Sequence, residues 1–108
     1  MPNNTSYGLI EKLFCSITPE QKLQYITYEL QILKKYLKIT PNNEAVKDKY
    51  LQLLCQIGEL FLGNKQYEQA QKYFEDANGI VSSDHYLKFE ISSKLLQITE
   101  EMILLNAA

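Results

Sequence analysis

The chain has 108 residues, 45% of them hydrophobic, which suffices for one domain with a core of its own. Its formal net charge is −2, too small to steer a charged partner by itself. All eleven basic residues are lysine, so the forked guanidinium that reads guanine edges is missing and sequence-specific nucleic-acid recognition is not expected. The same lysine usage also fits a plain compositional bias towards Asn, Lys, Ile and Tyr.

The first residues, MPNNTSYGLI, lack a basic region followed by a long apolar run, so no signal peptide is read. No apolar run approaches the ~20 residues that span a bilayer. Cys15 and Cys55 are far apart, each among apolar neighbours, and read as small buried hydrophobes rather than a disulfide or a metal pair. These features predict a reduced, cytoplasmic protein without membrane insertion.

Residues 1–6 are polar and predict a flexible N-terminus. Leu9, Ile10, Leu13 and Phe14 give residues 7–16 one apolar side of a short helix. A well-marked helix start follows, in which Thr18 caps, Pro19 suits the first helical position, and Gln21 completes a capping box. The helix predicted from there to about residue 38 carries one stripe of Leu23, Ile26, Leu30, Leu33 and Leu37. It carries a second stripe of Tyr25, Tyr28, Ile32, Tyr36 and Ile39. A helix apolar on two sides is either sandwiched or keeps one side for a partner, and the tyrosines suit a half-wet surface.

Thr40-Pro41-Asn42-Asn43 ends that helix, and the next is predicted over about 44–62 with Val46, Tyr50, Leu53, Leu54, Ile57 and Phe61 inward. Gly63 is read as a left-handed helix cap, residues 65–78 as the following helix, and Gly79 as its end. The last helix is predicted over about 84–106, capped by Ser82 or Ser83. Its inner stripe is Leu87, Ile91, Leu95, Ile98 and Met102. A further set, Phe89, Leu96 and Ile103, recurs every seven residues on another side.

Within residues 51–84 the pattern is L-x2-I-G-x2-F (Leu54, Ile57, Gly58, Phe61) followed by Y-x2-A-x3-F-x2-A (Tyr67, Ala70, Phe74, Ala77). Small Gly58 and Ala70 let two helices approach, while Leu54, Phe61 and Phe74 fill the space between them. This resembles one tetratricopeptide (TPR) repeat, a helix–turn–helix unit of 34 residues. Leu54 replaces the usual first aromatic, and Ser82 stands where a closing proline is common. Ile91, Ser92 and Leu95 repeat the spacing of Ile57, Gly58 and Phe61 at an offset of 34.

The resemblance implies an all-α fold of about five helices, stacked as TPR-like antiparallel hairpins, in a single domain over 1–108. Residues 7–40 would form a degenerate helical pair, 44–79 a long helix with the clear repeat hairpin, and 84–106 a capping helix. In that architecture first helices line the concave side. This places Gln52, Cys55 and Glu59 there, with Tyr86, Phe89 and Ser93 beside them and Leu96 continuing the side. These seven residues are the candidate protein-binding set. Gln52, Cys55, Gln56 and Glu59 offer no cation cluster for a chaperone's C-terminal carboxylate, and Glu59 would repel one.

Catalytic chemistry finds no footing. His85 is the single histidine, and no phosphate loop, nucleotide fingerprint, nucleophile elbow or zinc spacing is present. The expectation is a non-enzymatic protein–protein interaction module without cofactor or metal. It would be an adaptor or chaperone holding an apolar peptide or helix of a protein partner. The alternative is an accessory subunit of a larger assembly, or a homo-oligomer, that uses the same surface permanently.

Overall fold

A computed structural model describes residues 17–107, so the predicted helix over 7–16, the terminal residues before it and Cys15 lie outside the described residues. Within them every regular element is a helix: α1 Pro19–Ile39, α2 Glu44–Gly63, α3 Tyr67–Ile80 and α4 Lys88–Ala107. The described fold is thus all-α with four helices where five are predicted for the whole chain.

α1 begins as its sequence predicts. The Thr18 hydroxyl accepts the Gln21 N–H at 3.1 Å, and the Gln21 side chain accepts the Thr18 N–H at 2.9 Å. Two donors that no helix carbonyl could reach are thereby satisfied. α2 is capped by Asn43, whose side chain accepts the Val46 N–H at 3.2 Å. The core stripe of α1 is buried at Ile26 and Leu30, with Leu23, Leu33 and Leu37 packed partly against the same core. α2 is the most deeply buried element, contributing Tyr50, Leu51, Leu53, Leu54, Cys55, Ile57 and Gly58.

The α2–α3 hairpin is closed by one contact. A Cβ added to Gly58 would sit 2.6 Å from Cε2 of Phe74, whose ring is fully buried. The ring therefore occupies the volume that any side chain at position 58 would need. Ala70 and Ala77, also fully buried, keep the rest of α3 low enough for that approach. Beside them Phe61 stacks on Tyr73 at 5.6 Å between ring centroids. α4 adds Ile91 and Ile98, both fully buried, together with Leu95 and Met102, and Leu87 in the turn before it joins the same core.

Each helix packs mainly on its neighbours in the chain: α1 on α2, α2 on α3, α3 on α4. The result is elongated, 56 × 35 × 22 Å, with a radius of gyration of 16.2 Å. A globule of this length would have about 12–13 Å.

Three boundaries differ from the sequence reading. The left-handed residue between α2 and α3 is Lys65, with φ 60°, and no glycine of the described chain has positive φ. α2 continues through Gly63, and the Lys65 N–H reaches the Leu62 carbonyl while the Gln66 N–H reaches that of Phe61. This 5→2 and 6→1 pair satisfies the last carbonyls of α2 one residue pair later than a cap at Gly63 would, and it delays α3 to Tyr67. Gly79 does not close α3; the helix runs to Ile80, and Val81 turns the chain extended. α4 starts at Lys88 rather than near residue 84, because residues 83–87 form turns held by the His85 side chain.

The Gly58–Phe74 contact sets a stability test. Gly58→Ala gains about 1 kcal/mol of helix propensity, but overpacking against a ring with no room to move costs about 1–3 kcal/mol. We expect a net loss, read as a lowered urea midpoint. In a Phe74→Leu background the same change should become neutral or stabilising, since contacting sites couple. A gain in the native background would show that the contact does not limit the approach.

Candidate functional site

The candidate site lies between α2 and the turn that leads into α4, and its first component is polar. Asp48 and Gln52, one turn apart on α2, share a hydrogen bond of 2.9 Å. Gln52 Nε2 also donates to the Tyr86 hydroxyl at 2.9 Å, and Tyr86 donates weakly to Asp48 at 3.4 Å. His85 Nε2 lies 2.7 Å from Asp48 Oδ1, while its Nδ1 accepts the Leu87 N–H at 3.1 Å. An acceptor nitrogen carries no proton, so the tautomer that fits has the proton on Nε2, donated to Asp48. Tyr86 stacks on the same imidazole at 4.5 Å. Both ring nitrogens are thus engaged in holding the turn before α4 against α2. The hollow beside His85, lined by Asp48, Leu51, Ile80 and Ser82, measures about 140 Å³. That is below the ~300–1,000 Å³ of small-molecule sites.

The second component is acidic. The carboxyl of Glu59 is held above the usual carboxylate range by desolvation, then by hydrogen bonding to Glu90, with Lys94 acting the other way. Cys55 lies one turn before Glu59. Burial pushes its thiol up to about 11, and Glu90 and Glu59 reinforce the effect. A thiol so far from ionising is a poor nucleophile and a poor metal ligand at neutral pH. Among the described residues no group of three or more His, Cys, Asp or Glu side chains could hold a metal ion. None of their helices is long and apolar enough to cross a membrane.

The third component is apolar. Phe89 is 82% exposed, and Leu96 and Ile103 are each 61% exposed, one above another on α4. Tyr86 adds an exposed ring at the start of this line, although its hydroxyl is already bound to Gln52.

The seven candidate residues therefore separate into groups. Gln52 and Tyr86 are brought together directly. Glu59 is exposed and beside Glu90 and Lys94. Phe89, Ser93 and Leu96 are exposed on α4. Cys55 is only 6% exposed and faces the core, so it presents no surface to a partner. Sequence reading misses Asp48, which anchors both His85 and Tyr86, as well as Glu90 and Lys94. The offset of 34 that aligns Gln52 with Tyr86 carries a signal for the last two: a shift of Glu59 by 34 lands at position 93, between Glu90 and Lys94. Sequence reading also passes over Leu104 and Leu105, which extend the exposed apolar surface of α4.

No family model matches this chain, and comparison with curated proteins and with solved structures likewise gives no match.

The raised carboxyl of Glu59 makes a pH prediction. In the folded chain it holds its proton to higher pH than when unfolded, so its ionisation weakens folding as pH rises through and above the usual carboxylate range. Glu59→Gln removes the penalty. The variant should melt higher than the parent near pH 7, and the difference should shrink as pH falls towards about 4. Thermal scans of both proteins across that range check it; a difference independent of pH would refute an ionisation penalty at Glu59 as its cause.

Proposed function

We propose that this chain is a non-enzymatic protein–protein interaction module, a small TPR-like adaptor or chaperone that holds an apolar peptide or helix of a partner protein. The observation that carries the reading is the line of Phe89, Leu96 and Ile103 on α4. Three large apolar side chains stacked at seven-residue steps and left in water are costly unless something covers them. The repeat-like spacing of residues 51–84 and the Gln52–Tyr86 bond between residues 34 apart support a TPR-like stacking of α2 beside α4. In that arrangement Phe89 and Tyr86 are the aromatic anchors, Leu96 extends the apolar track, and Glu59, Gln52 and Ser93 form its polar edge. Cytoplasmic residence suits Cys55, which stays a reduced core thiol in this reading.

A second reading, a structural subunit of a larger assembly, is favoured by one further observation. The stripe of Tyr25, Tyr28, Ile32, Tyr36 and Ile39 on α1 is exposed as well, so the described residues carry two apolar surfaces rather than one.

Co-purification of the full chain from its native source tests the first reading. Phe89→Ala should weaken the captured partner by about 2 kcal/mol or more, as an interface anchor does. The same change should alter folding stability by no more than about 0.5 kcal/mol, since the side chain is exposed. A partner retained equally by Phe89→Ala and Leu96→Ala would remove α4 as the binding surface.

The same surface predicts a failure to bind. A peptide ending in a free Glu-Glu-Val-Asp carboxylate should show no heat of binding in calorimetry, because Glu59 and Glu90 stand together there and repel it. Micromolar binding abolished by amidating the peptide terminus would contradict this.

A further inference from the structure

Two exposed seams sit on the two helices at the ends of the described stack. On α1, Tyr25, Ile32 and Ile39 recur every seven residues, with Tyr28 and Tyr36 between them. On α4, Phe89, Leu96 and Ile103 recur every seven residues. Each seam runs over 14 residue steps (25 to 39, 89 to 103), about 21 Å of helix. They differ in bulk. The α1 seam is crowded by its intervening tyrosines, whereas the α4 seam has Ser92 at the place of Tyr28 and Glu100 at that of Tyr36, with no aromatic between its apolar residues. Bulk against gaps packs well; two crowded seams clash, and two sparse ones leave voids.

The flanking charges select a direction. Laid parallel, with Tyr25 at the level of Phe89 and Ile39 at the level of Ile103, the seams bring Glu29 of one chain to Lys88 of the other, the attractive flank pair of a two-helix seam. Laid antiparallel, they oppose Glu29 to Glu100 and Lys38 to Lys88, two like-charge pairs. Size, spacing and charge agree on one arrangement.

We propose that the occupant of the α4 seam, in the chain by itself, is the α1 seam of a second copy, docked parallel. The contact is head-to-tail: each copy keeps a free α1 seam at one end and a free α4 seam at the other, so association continues beyond a dimer unless a ring closes. A single helix pair of this length falls below the roughly 1,200–2,000 Å² of stable complexes, which makes the assembly concentration-dependent. The proposal goes beyond the adaptor reading and does not require it. An external partner on α4 would compete with the self-contact, whereas the purified chain alone contains no such competitor.

Sedimentation velocity of the full chain from about 10 μM to about 1 mM should show species growing past dimer. Ile32→Glu blocks the α1 seam and Leu96→Lys blocks the α4 seam, and each variant alone should remain monomeric. Tyr28→Glu replaces Ile32→Glu if thermal melting shows the latter to be unfolded. Mixed in equal amounts, the two blocked variants should form a one-to-one dimer and nothing larger, through the one intact seam each retains. Glu29→Lys should weaken self-association by roughly two- to fivefold, the scale of an exposed ion pair, and adding Lys88→Glu should restore it.

Three results would overturn the proposal. A parent chain that stays monomeric at about 1 mM shows the seams do not meet. Persistent dimers of Leu96→Lys alone show α1 pairing with α1. Persistent dimers of Ile32→Glu alone show α4 pairing with α4.

Discussion

The ring of Phe74 lies where a methyl group on Gly58 would have to be, and the rest of the stack is arranged around that approach. Because the ring fills the gap, α2 and α3 come close enough for Leu54, Ile57, Ala70 and Ala77 to be sealed from water together. Close packing of this kind tolerates little change in volume. It also fixes the direction in which α2 presents its other faces. One of them receives the Ile26 and Leu30 side of α1, and another carries Asp48, Gln52 and Glu59 towards α4.

What joins α4 to α2 is polar where the hairpin is apolar. Asp48 accepts from His85, Gln52 and Tyr86, and the imidazole in turn accepts the Leu87 N–H. The network holds the turn before α4 at a defined distance, while Ile91 and Ile98 bury the helix itself against α3. The placement has a side effect. With Leu87, Ile91 and Ile98 inward, the residues on roughly the opposite side of the helix (Phe89, Leu96 and Ile103) have no element of the described chain to face.

Helix identity and inner faces are legible because they rest on periodicity, which survives any tertiary arrangement. The stripe Leu23–Ile26–Leu30–Leu33–Leu37 and the stripe Leu87–Ile91–Leu95–Ile98–Met102 both meet the core as read. The second stripes of α1 and α4 are legible as apolar, and the structure shows them exposed. Boundaries set by a single long-range bond are not legible. Nothing local marks Asp48 as the partner of His85, yet that bond keeps residues 83–87 out of α4. Nor does composition reveal that Lys65 accepts the left-handed conformation while Gly63 stays helical; the choice depends on where Phe61 and Leu62 place their carbonyls. Cys55 is legible as a small buried hydrophobe, whereas its place in the binding set fails. Counting faces puts it beside Gln52 and Glu59, but α2 is buried so widely that this face too is largely closed.

A stack in which each layer leans chiefly on the next does not protect its backbone evenly. α2 contributes seven buried residues, whereas α1 and α4 contribute two each at comparable length. Opening either terminal helix exposes far less apolar surface than opening the central hairpin, so amide protons of α1 and α4 should exchange through partial opening while those around Ile57 and Phe74 wait for global unfolding. The helices that carry the uncovered side chains are thus the ones free to tilt or part without dismantling the molecule. Whatever settles on them would meet a surface able to adjust, and by settling would lend the ends a rigidity that the middle already has.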